Sequence, residues 1–134
     1  MKLEPKKEPF RLSLGQRGEM IAWGYLVRAG FKILDKNYRC KIGEIDVVAK
    51  KAGRLFFIEV KTRNSSDRGR PEEAVGMIKQ KKLIHLAEWF RKEKKLEKMP
   101  VSFAVLAILW NQGDPQLRFI DNAFEVNDPM DGPF

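Results

Sequence analysis

The chain has few of the residues that carry disulfide, zinc or histidine chemistry. Its 134 residues include one cysteine, Cys40, and one histidine, His85, to which we assign no role. A single cysteine excludes an intrachain disulfide and a cysteine zinc cluster, and it fits a reducing cytoplasm. The longest apolar run, Phe103 to Trp110, is far shorter than the roughly 20 residues that a membrane helix needs. Residues 1–10 contain two prolines and no apolar stretch of the kind found in a signal peptide, so we expect no targeting segment there. We therefore expect a cytoplasmic protein without a membrane partner.

The composition is that of a soluble globular domain with a basic surplus. Apolar residues make up 43% of the chain and charged residues 33%, and the net charge is +8 with a pI near 9.7. We expect one domain over residues 13–126, with flexible tails at 1–12 and 127–134. The surplus favours a polyanionic partner, and nucleic acid fits better than a membrane, although part of it also serves solubility.

Helix and strand signals alternate along the chain and predict an α/β fold. Ser13 is a suitable helix N-cap and Gly30 a suitable end, while Pro71 suits the first turn of a long second helix. The predicted elements are a helix at 14–29, strands at 31–39 and within 43–61, a helix at 72–97, a buried strand at 101–110 and an edge strand at 116–124. The long helix is predicted to bury Met77 and Ile78, among other apolar residues.

Residues 43 to 61 read as two strands joined by a tight turn at 51–53. Strand side chains alternate between the faces of a sheet. The predicted faces are Glu44, Asp46 and Val48 against Ile45, Val47 and Ala49 on the first strand, and Leu55, Phe57, Glu59 and Lys61 against Phe56, Ile58 and Val60 on the second. The second strand is apolar on both faces until Glu59, and ionised groups are rarely buried without a partner.

Asp46, Glu59 and Lys61 are therefore predicted to form a site. The alternative is an ion pair with a structural role only, because ionic networks also occur without function. Glu19 lies at the edge of the apolar face of the first helix. It is either an acid favoured by the helix dipole or a carboxylate directed at the site.

Basic residues around this stretch are candidates for phosphate contact. The segment 64–71 follows Lys61 directly and contains Arg68 and Arg70, so it is either a phosphate-binding loop or a solvated connection. Lysines of the long helix, Lys79 and Lys82 among them, either form a solvated face or follow a phosphate backbone. Gln80 is a candidate polar group near the site.

Several short motifs, in this order, resemble the YraN family of uncharacterised bacterial proteins. The family belongs to the PD-(D/E)XK nuclease superfamily and is similar in fold to archaeal Holliday-junction resolvases. The motifs are Gly15-Gln16-Arg17-Gly18-Glu19, Asn37-Tyr38-Arg39, Gly43-Glu44-Ile45-Asp46, Phe57-Ile58-Glu59-Val60-Lys61-Thr62-Arg63 and Lys79-Gln80. The resemblance implies a restriction-endonuclease-like core, with a mixed five-stranded sheet flanked by helices.

The resemblance also implies roles for individual residues. Asp46 and Glu59, with the carbonyl of Val60, would hold Mg²⁺ or Mn²⁺, and Glu19 would complete the acidic cluster. Lys61 would orient or deprotonate the attacking water, or stabilise the charge that develops on phosphorus. The predicted nucleic-acid contacts, some from these motifs and some from the loop and helix positions above, are Arg63, Arg68, Arg70, Lys79, Gln80 and Lys82. The implied partner is DNA, branched DNA included, with RNA left open. A homodimer is also left open, because resolvases of this fold act as dimers that cut a junction symmetrically.

The sequence departs from the family pattern at two places. Ile45 stands where the superfamily name has proline, a position that is loosely held. In the strand after the long helix, Ser102-Phe103-Ala104-Val105 replaces the family's Arg-Phe-Asp-Val. The leading hypothesis is a metal-dependent endonuclease-like protein that hydrolyses DNA phosphodiester bonds in branched or repair intermediates. The alternatives are a nucleic-acid-binding module without activity and a scaffold whose ion pair is structural.

Overall fold

The predicted order of elements is present in the structure. The computed structural model describes residues 13–64, 76–110, 114–122 and 124. The elements are α1 (Leu14–Arg28), β1 (Lys32–Cys40), β2 (Gly43–Lys51), β3 (Arg54–Asn64), α2 (Met77–Lys94), β4 (Val101–Trp110) and β5 (Gln116–Ile120). The α/β class is thereby confirmed. Neither helix of the described chain is long and apolar enough to cross a membrane.

The five strands form one mixed sheet in which neighbours in space are also neighbours in sequence. The order is β1-β2-β3-β4-β5. Only the β3–β4 pair is parallel, and it runs from Leu55↔Val101 to Asn64↔Trp110. A parallel pair needs a long crossover connection, and α2 lies within it. The carboxyl ends of β3 and β4 therefore share one end of the sheet with the start of β2, and we call this the open end.

Each helix covers one face of the sheet with its own apolar core. The α2 core includes Phe57 and Phe90, each 1% exposed, and the α1 core includes Ile58 and Leu106, each fully buried. Burying one such side chain stabilises a fold by about 1.5–3 kcal/mol. Because β3 is packed on both faces, its apolar residues form a continuous run rather than an alternating one.

Local signals in the sequence determine the ends of α1 and the turn between β2 and β3. Ser13 and Gln16 form a capping box, in which each side chain bonds the other's backbone N–H at 3.1 and 2.9 Å. Gly30 follows α1 with a φ of +97°. Ala52 and Gly53 have φ values of 53° and 76°, so they make the two-residue turn that suits a hairpin.

The predicted bounds of α2 and β5 were wrong. Gly76 is extended (φ −78°, ψ 174°) and caps a helix that begins at Met77 rather than at residue 72, and Lys95 ends it with a left-handed φ of 59°. Pro71 lies outside the described residues. β5 ends at Ile120 rather than 124, because Asn122 has a φ of 53° in the turn that follows.

The buried stripe of α2 also differs from the prediction. Met77 and Ile78 are 69% and 76% exposed. The residues that face the sheet are Leu83, Leu86, Ala87 and Phe90. With 3.6 residues per turn, these four positions place Ile78 on the opposite side of the helix.

Polar contacts hold the carboxyl-terminal half of α2 against the sheet. The Tyr38 hydroxyl on β1 donates to Glu93 Oε1 at 2.6 Å. Arg91 Nη1 donates to the carbonyls of Glu97 at 3.0 Å and Met99 at 2.9 Å, which ties α2 to the segment leading into β4. The amino-terminal turn of α2 has one described ion pair to the sheet, made by Lys79, and it belongs to the candidate site.

Candidate active site

The regular alternation of β2 fails around Asp46. Ile45 packs with Val48 in the α2 core, whereas Val47 belongs to the α1 core, so the predicted grouping of Ile45 with Val47 and Ala49 was wrong. The strand partners Lys36↔Val47 and Tyr38↔Ile45 place Asn37 across from Asp46. The backbone of Asn37 is left-handed, with a φ of 54°. The alternation of side chains between the two faces of the sheet is therefore interrupted in β1 and β2 at the same place.

The β2–β3 ladder ends beside Asp46. Its pairs run from Lys51↔Arg54 to Val47↔Ile58, although both strands continue past Ile58 and Val47 toward the open end. In the gap, Asp46 Oδ2 accepts a hydrogen bond of 2.7 Å from the backbone N–H of Val60. The side chain thus replaces a backbone acceptor, and this bond fixes the carboxylate next to the Glu59-Val60-Lys61 segment.

Glu59 is a buried carboxylate with two ammonium partners. It is 7% exposed, and its Oε2 lies 2.6 Å from Lys79 Nζ and 3.4 Å from Lys61 Nζ. Lys61 comes from the same strand, two residues on, and Lys79 comes from the first turn of α2. An ionised carboxylate can be buried here only because it is paired: removing an unpaired charge from water costs on the order of several kcal/mol.

Asp46 carries the clearest electrostatic perturbation of the site. Burial, first, and the neighbouring Glu59 carboxylate, second, raise the pKa of Asp46 from 3.8 to about 6. The Val60 N–H lowers that pKa, Glu19 raises it and Lys79 lowers it, but burial and Glu59 prevail. Because the Glu59 charge lies beside Asp46, a cation bound between them would be favoured electrostatically.

The amino-terminal part of α1 packs closely on the open end. Gly18 is buried, and a Cβ there would overlap Thr62 Oγ1 of β3. One residue earlier, the Arg17 guanidinium lies over the Trp110 ring at the end of β4, 5.6 Å from its centroid. This approach brings the half-buried Glu19 near enough for its charge to act on Asp46.

The predicted site residues are thus only partly brought together. Asp46, Glu59, Val60 and Lys61 are adjacent, and the charge of Glu19 on α1 acts on Asp46. Among the described residues, no group of three His, Cys, Asp or Glu side chains is close enough to hold a metal ion. A ligand role for the Val60 carbonyl stays a prediction.

The predicted nucleic-acid contacts fall into three groups. Arg63 is half-buried at the end of β3, where its Nη1 donates to the Thr62 carbonyl at 3.5 Å. Lys82 is exposed on α2, and Gln80 is half-buried on the same helix. Arg68 and Arg70 lie outside the described residues.

Lys79 is the residue whose principal contact the sequence interpretation missed. It was assigned to nucleic acid, but it also forms the shorter of the two ion pairs with Glu59. Its position four residues before the buried Leu83 was the available signal, because residues four apart share a helix face.

In β4, the two residues that differ from the family pattern, Ser102 and Ala104, lie outside the cluster of Asp46, Glu59, Lys61 and Lys79. Ser102 is 5% exposed, and its Oγ accepts a 3.0 Å hydrogen bond from Arg54 Nη1 at the opposite end of β3. Ala104 is 3% exposed and packs in the α1 core across from Ile58. Glu59 pairs with Lys79 of α2, on the other face of the sheet. An apolar residue at 104 suits those neighbours.

Comparison with known proteins agrees with the resemblance. The profile of the family described as "Uncharacterised protein family UPF0102" matches residues 18–108. A UPF0102 protein of Syntrophotalea carbinolica is 43% identical over 117 residues, covering 87% of this chain and 95% of the relative. A UPF0102 protein of Thermodesulfovibrio yellowstonii is 44% identical over 114 residues, covering 85% and 97%. A UPF0102 protein of Geobacter metallireducens is 42% identical over 115 residues, covering 85% and 93%.

The fold and the site define an α/β protein with a mixed five-stranded sheet and an acidic–lysine cluster at one end of it, an architecture consistent with the PD-(D/E)XK nuclease superfamily. The chain belongs to the UPF0102 (YraN) family.

Proposed function

We propose that this protein is a metal-dependent endonuclease-like enzyme that hydrolyses DNA phosphodiester bonds, with branched or repair intermediates as its substrates. The observation that carries the proposal is the gap between β2 and β3. There, the Asp46 carboxylate is held against the Val60 N–H beside the buried Glu59, and Lys61 lies 3.4 Å from Glu59. Perturbed ionisable groups of this kind concentrate at functional sites.

The donor set fits a hard divalent cation. Asp46 and Glu59 present carboxylate oxygens, which Mg²⁺ and Mn²⁺ prefer. Burial and, second, the Glu59 charge raise the pKa of Asp46, and a cation would offset the repulsion between the two carboxylates. Two carboxylates are enough in principle, because Mg²⁺ keeps several of its waters and takes further ligands from a substrate phosphate. When bound, the cation would neutralise the scissile phosphate and make hydroxide available near neutral pH.

The chain's own residues would supply position and charge. Lys61 lies on strand β3 with its Nζ 3.4 Å from Glu59 Oε2, so its ammonium group lies beside the carboxylates. From there it would orient the attacking water or stabilise the charge that develops on phosphorus. Glu19 would add to the negative potential from α1. Arg63 at the end of β3 and Lys82 on α2 would contact the phosphate backbone.

A cleavage screen tests this proposal. Single-stranded DNA, linear duplex and a four-way junction are each incubated with the protein in Mg²⁺ or Mn²⁺, with EDTA as the control. We expect metal-dependent cuts in at least one substrate, and in the junction before the linear duplex. The absence of cleavage in all three, by a protein shown to be folded, would contradict the proposal.

A second candidate function is nucleic-acid binding without cleavage. It is favoured by the two ammonium partners of Glu59, which already satisfy that carboxylate, and by the net charge of +8. Binding through phosphates weakens with salt, with a log–log slope of about −0.9 per phosphate contact on duplex DNA. Replacing the exposed Lys82 by glutamine should make that slope shallower by about 1. Affinity that does not change with salt would exclude this candidate.

A further inference from the structure

Lys79 has the closest described contact with the acidic cluster. Its Nζ lies 2.6 Å from Glu59 Oε2, against 3.4 Å for Lys61 Nζ and the same oxygen. The side chains of Lys79 and Glu59 are 40% and 9% exposed, so one end of this pair is in contact with solvent and the other is buried. Lys79 also lowers the pKa of Asp46, which places its charge within reach of both carboxylates.

We propose that Lys79 is the resident counter-ion of the site and that a divalent cation must displace it from Glu59. The proposal rests on the proposed function, because it assumes that Asp46 and Glu59 bind the cation. The Lys79 ammonium group and the divalent cation would both bind the Glu59 carboxylate, and two positive charges this close repel each other. Lys79 therefore lowers the affinity of the site for metal, while it keeps Glu59 neutralised in the metal-free protein.

After displacement from Glu59, the ammonium group of Lys79 can remain in contact with solvent in a neighbouring groove. Beside it, α2 and the β1–β2 turn enclose an open groove of about 420 Å³. Its lining includes Lys79 itself, Gly43, Glu44 and Lys82. The side chain can leave Glu59 for this groove without being buried, whereas Lys61 is only 20% exposed and is fixed to β3.

Among the described residues, the first turn of α2 makes few stabilising contacts, so moving the Lys79 side chain away from Glu59 costs little free energy. Its N-cap, Gly76, has no side chain to bond the exposed N–H groups of the helix. Met77 and Ile78, the two residues before Lys79 in the helix, are largely exposed and add little packing there. Leu83, one turn later, is the first residue of α2 that is buried in the core.

The test is a Mn²⁺ titration of the wild type, Lys79→Gln and Lys82→Gln, followed by electron paramagnetic resonance of free Mn²⁺. Lys82→Gln is the matched control, because it removes the same charge one turn later on the same groove. We expect Lys79→Gln to bind Mn²⁺ about three- to tenfold more tightly, the range of a half-exposed ion pair. Lys82→Gln should change the affinity less than about twofold.

The outcomes separate this inference from the proposed function. If the wild type binds Mn²⁺ and Lys79→Gln binds it equally or more weakly, the counter-ion role of Lys79 is overturned. The metal site itself would then still stand. An equal gain in both variants would also overturn it, since long-range charge would then explain the effect. No Mn²⁺ binding by any of the proteins would remove the metal site as well. Lys79→Arg keeps the charge, so it covers the case in which Lys79→Gln does not fold. It should bind Mn²⁺ no more tightly than the wild type does, and tighter binding would contradict the inference.

Discussion

Replacing Asp46 by asparagine should stabilise the protein at alkaline pH. Asparagine keeps an oxygen that can accept the 2.7 Å hydrogen bond from Val60 N–H, and it removes the negative charge beside Glu59. The charge is unfavourable where it is, because burial and Glu59 raise the pKa of Asp46 from 3.8 to about 6. A pKa difference of about two corresponds to about 3 kcal/mol.

The sign of this effect depends on pH. The folded protein holds the Asp46 proton more tightly than the unfolded chain does. The corresponding stability is therefore fully present below about pH 4 and is lost as the pH rises through about 6. At pH 8 we expect Asp46→Asn to be more stable than the wild type by about 1–3 kcal/mol in free energy of unfolding. At pH 4 the difference should be less than about 1 kcal/mol.

Urea denaturation followed by circular dichroism at pH 8, 6 and 4 measures this difference. Asp114→Asn makes the same chemical change at an exposed position and should alter stability by less than about 0.5 kcal/mol. Adding Mn²⁺ should narrow the gap at pH 8, because a bound cation would stabilise the wild-type carboxylate. If Asp46→Asn is less stable than the wild type at pH 8, or equally stable at every pH, then the ionised Asp46 carboxylate does not destabilise the folded protein.

Two further substitutions test the packing around the site. Gly18→Ala should destabilise the protein by about 1–3 kcal/mol, because the new Cβ would overlap Thr62 Oγ1, and Thr62→Ala should restore part of the loss. Gly24→Ala is its control on the same helix: its nearest neighbour is the flexible Arg28 side chain at 3.2 Å, so thermal unfolding should show no loss or a gain of up to about 1 kcal/mol. Ala104→Asp should cost at least about 2 kcal/mol in urea denaturation, because residue 104 is 3% exposed in the α1 core; an unchanged midpoint would mean that the carboxylate finds a partner there.

Some features of the fold could be predicted because local chemistry determines them. The Ser13 cap and the turn at Ala52 and Gly53 have short sequence signatures, and both are present. The β3 alternation also held, since Phe57 packs in the α2 core and Glu59 pairs with Lys79 of α2. Regular strands keep their period wherever the ladder is intact.

Other features depend on contacts that are distant in sequence. The alternation of β2 fails at Asp46 because Asn37 on the neighbouring strand is left-handed and the ladder with β3 ends at Val47↔Ile58. Periodicity within one strand carries no signal of either event. Met77 and Ile78 are apolar, and their exposure depends on which side of α2 meets the sheet.

In the candidate site, too, some neighbours could be predicted from the sequence and one could not. That Asp46, Glu59 and Lys61 would be neighbours followed from adjacent strands. The ion pair between Lys79 and Glu59 needed the docking of α2 on the sheet, which places a residue 20 positions away at 2.6 Å. From the residue type alone, the lysines of that helix were interpreted either as a solvated face or as phosphate contacts, and neither interpretation predicted an ion pair with Glu59.

Single-turnover cleavage of a four-way junction in Mg²⁺, comparing the wild type with Lys61→Ala, would decide whether this protein is a nuclease whose active site includes Lys61. Lys81→Ala is the control, because Lys81 is exposed on α2 and has no assigned role at the site. We predict cleavage by the wild type and by Lys81→Ala, and a loss of at least about 100-fold in Lys61→Ala at unchanged junction affinity, the range of a group that acts in the transition state. Equal cleavage rates for all three folded proteins, or tight binding with no cleavage by any of them, would contradict the account.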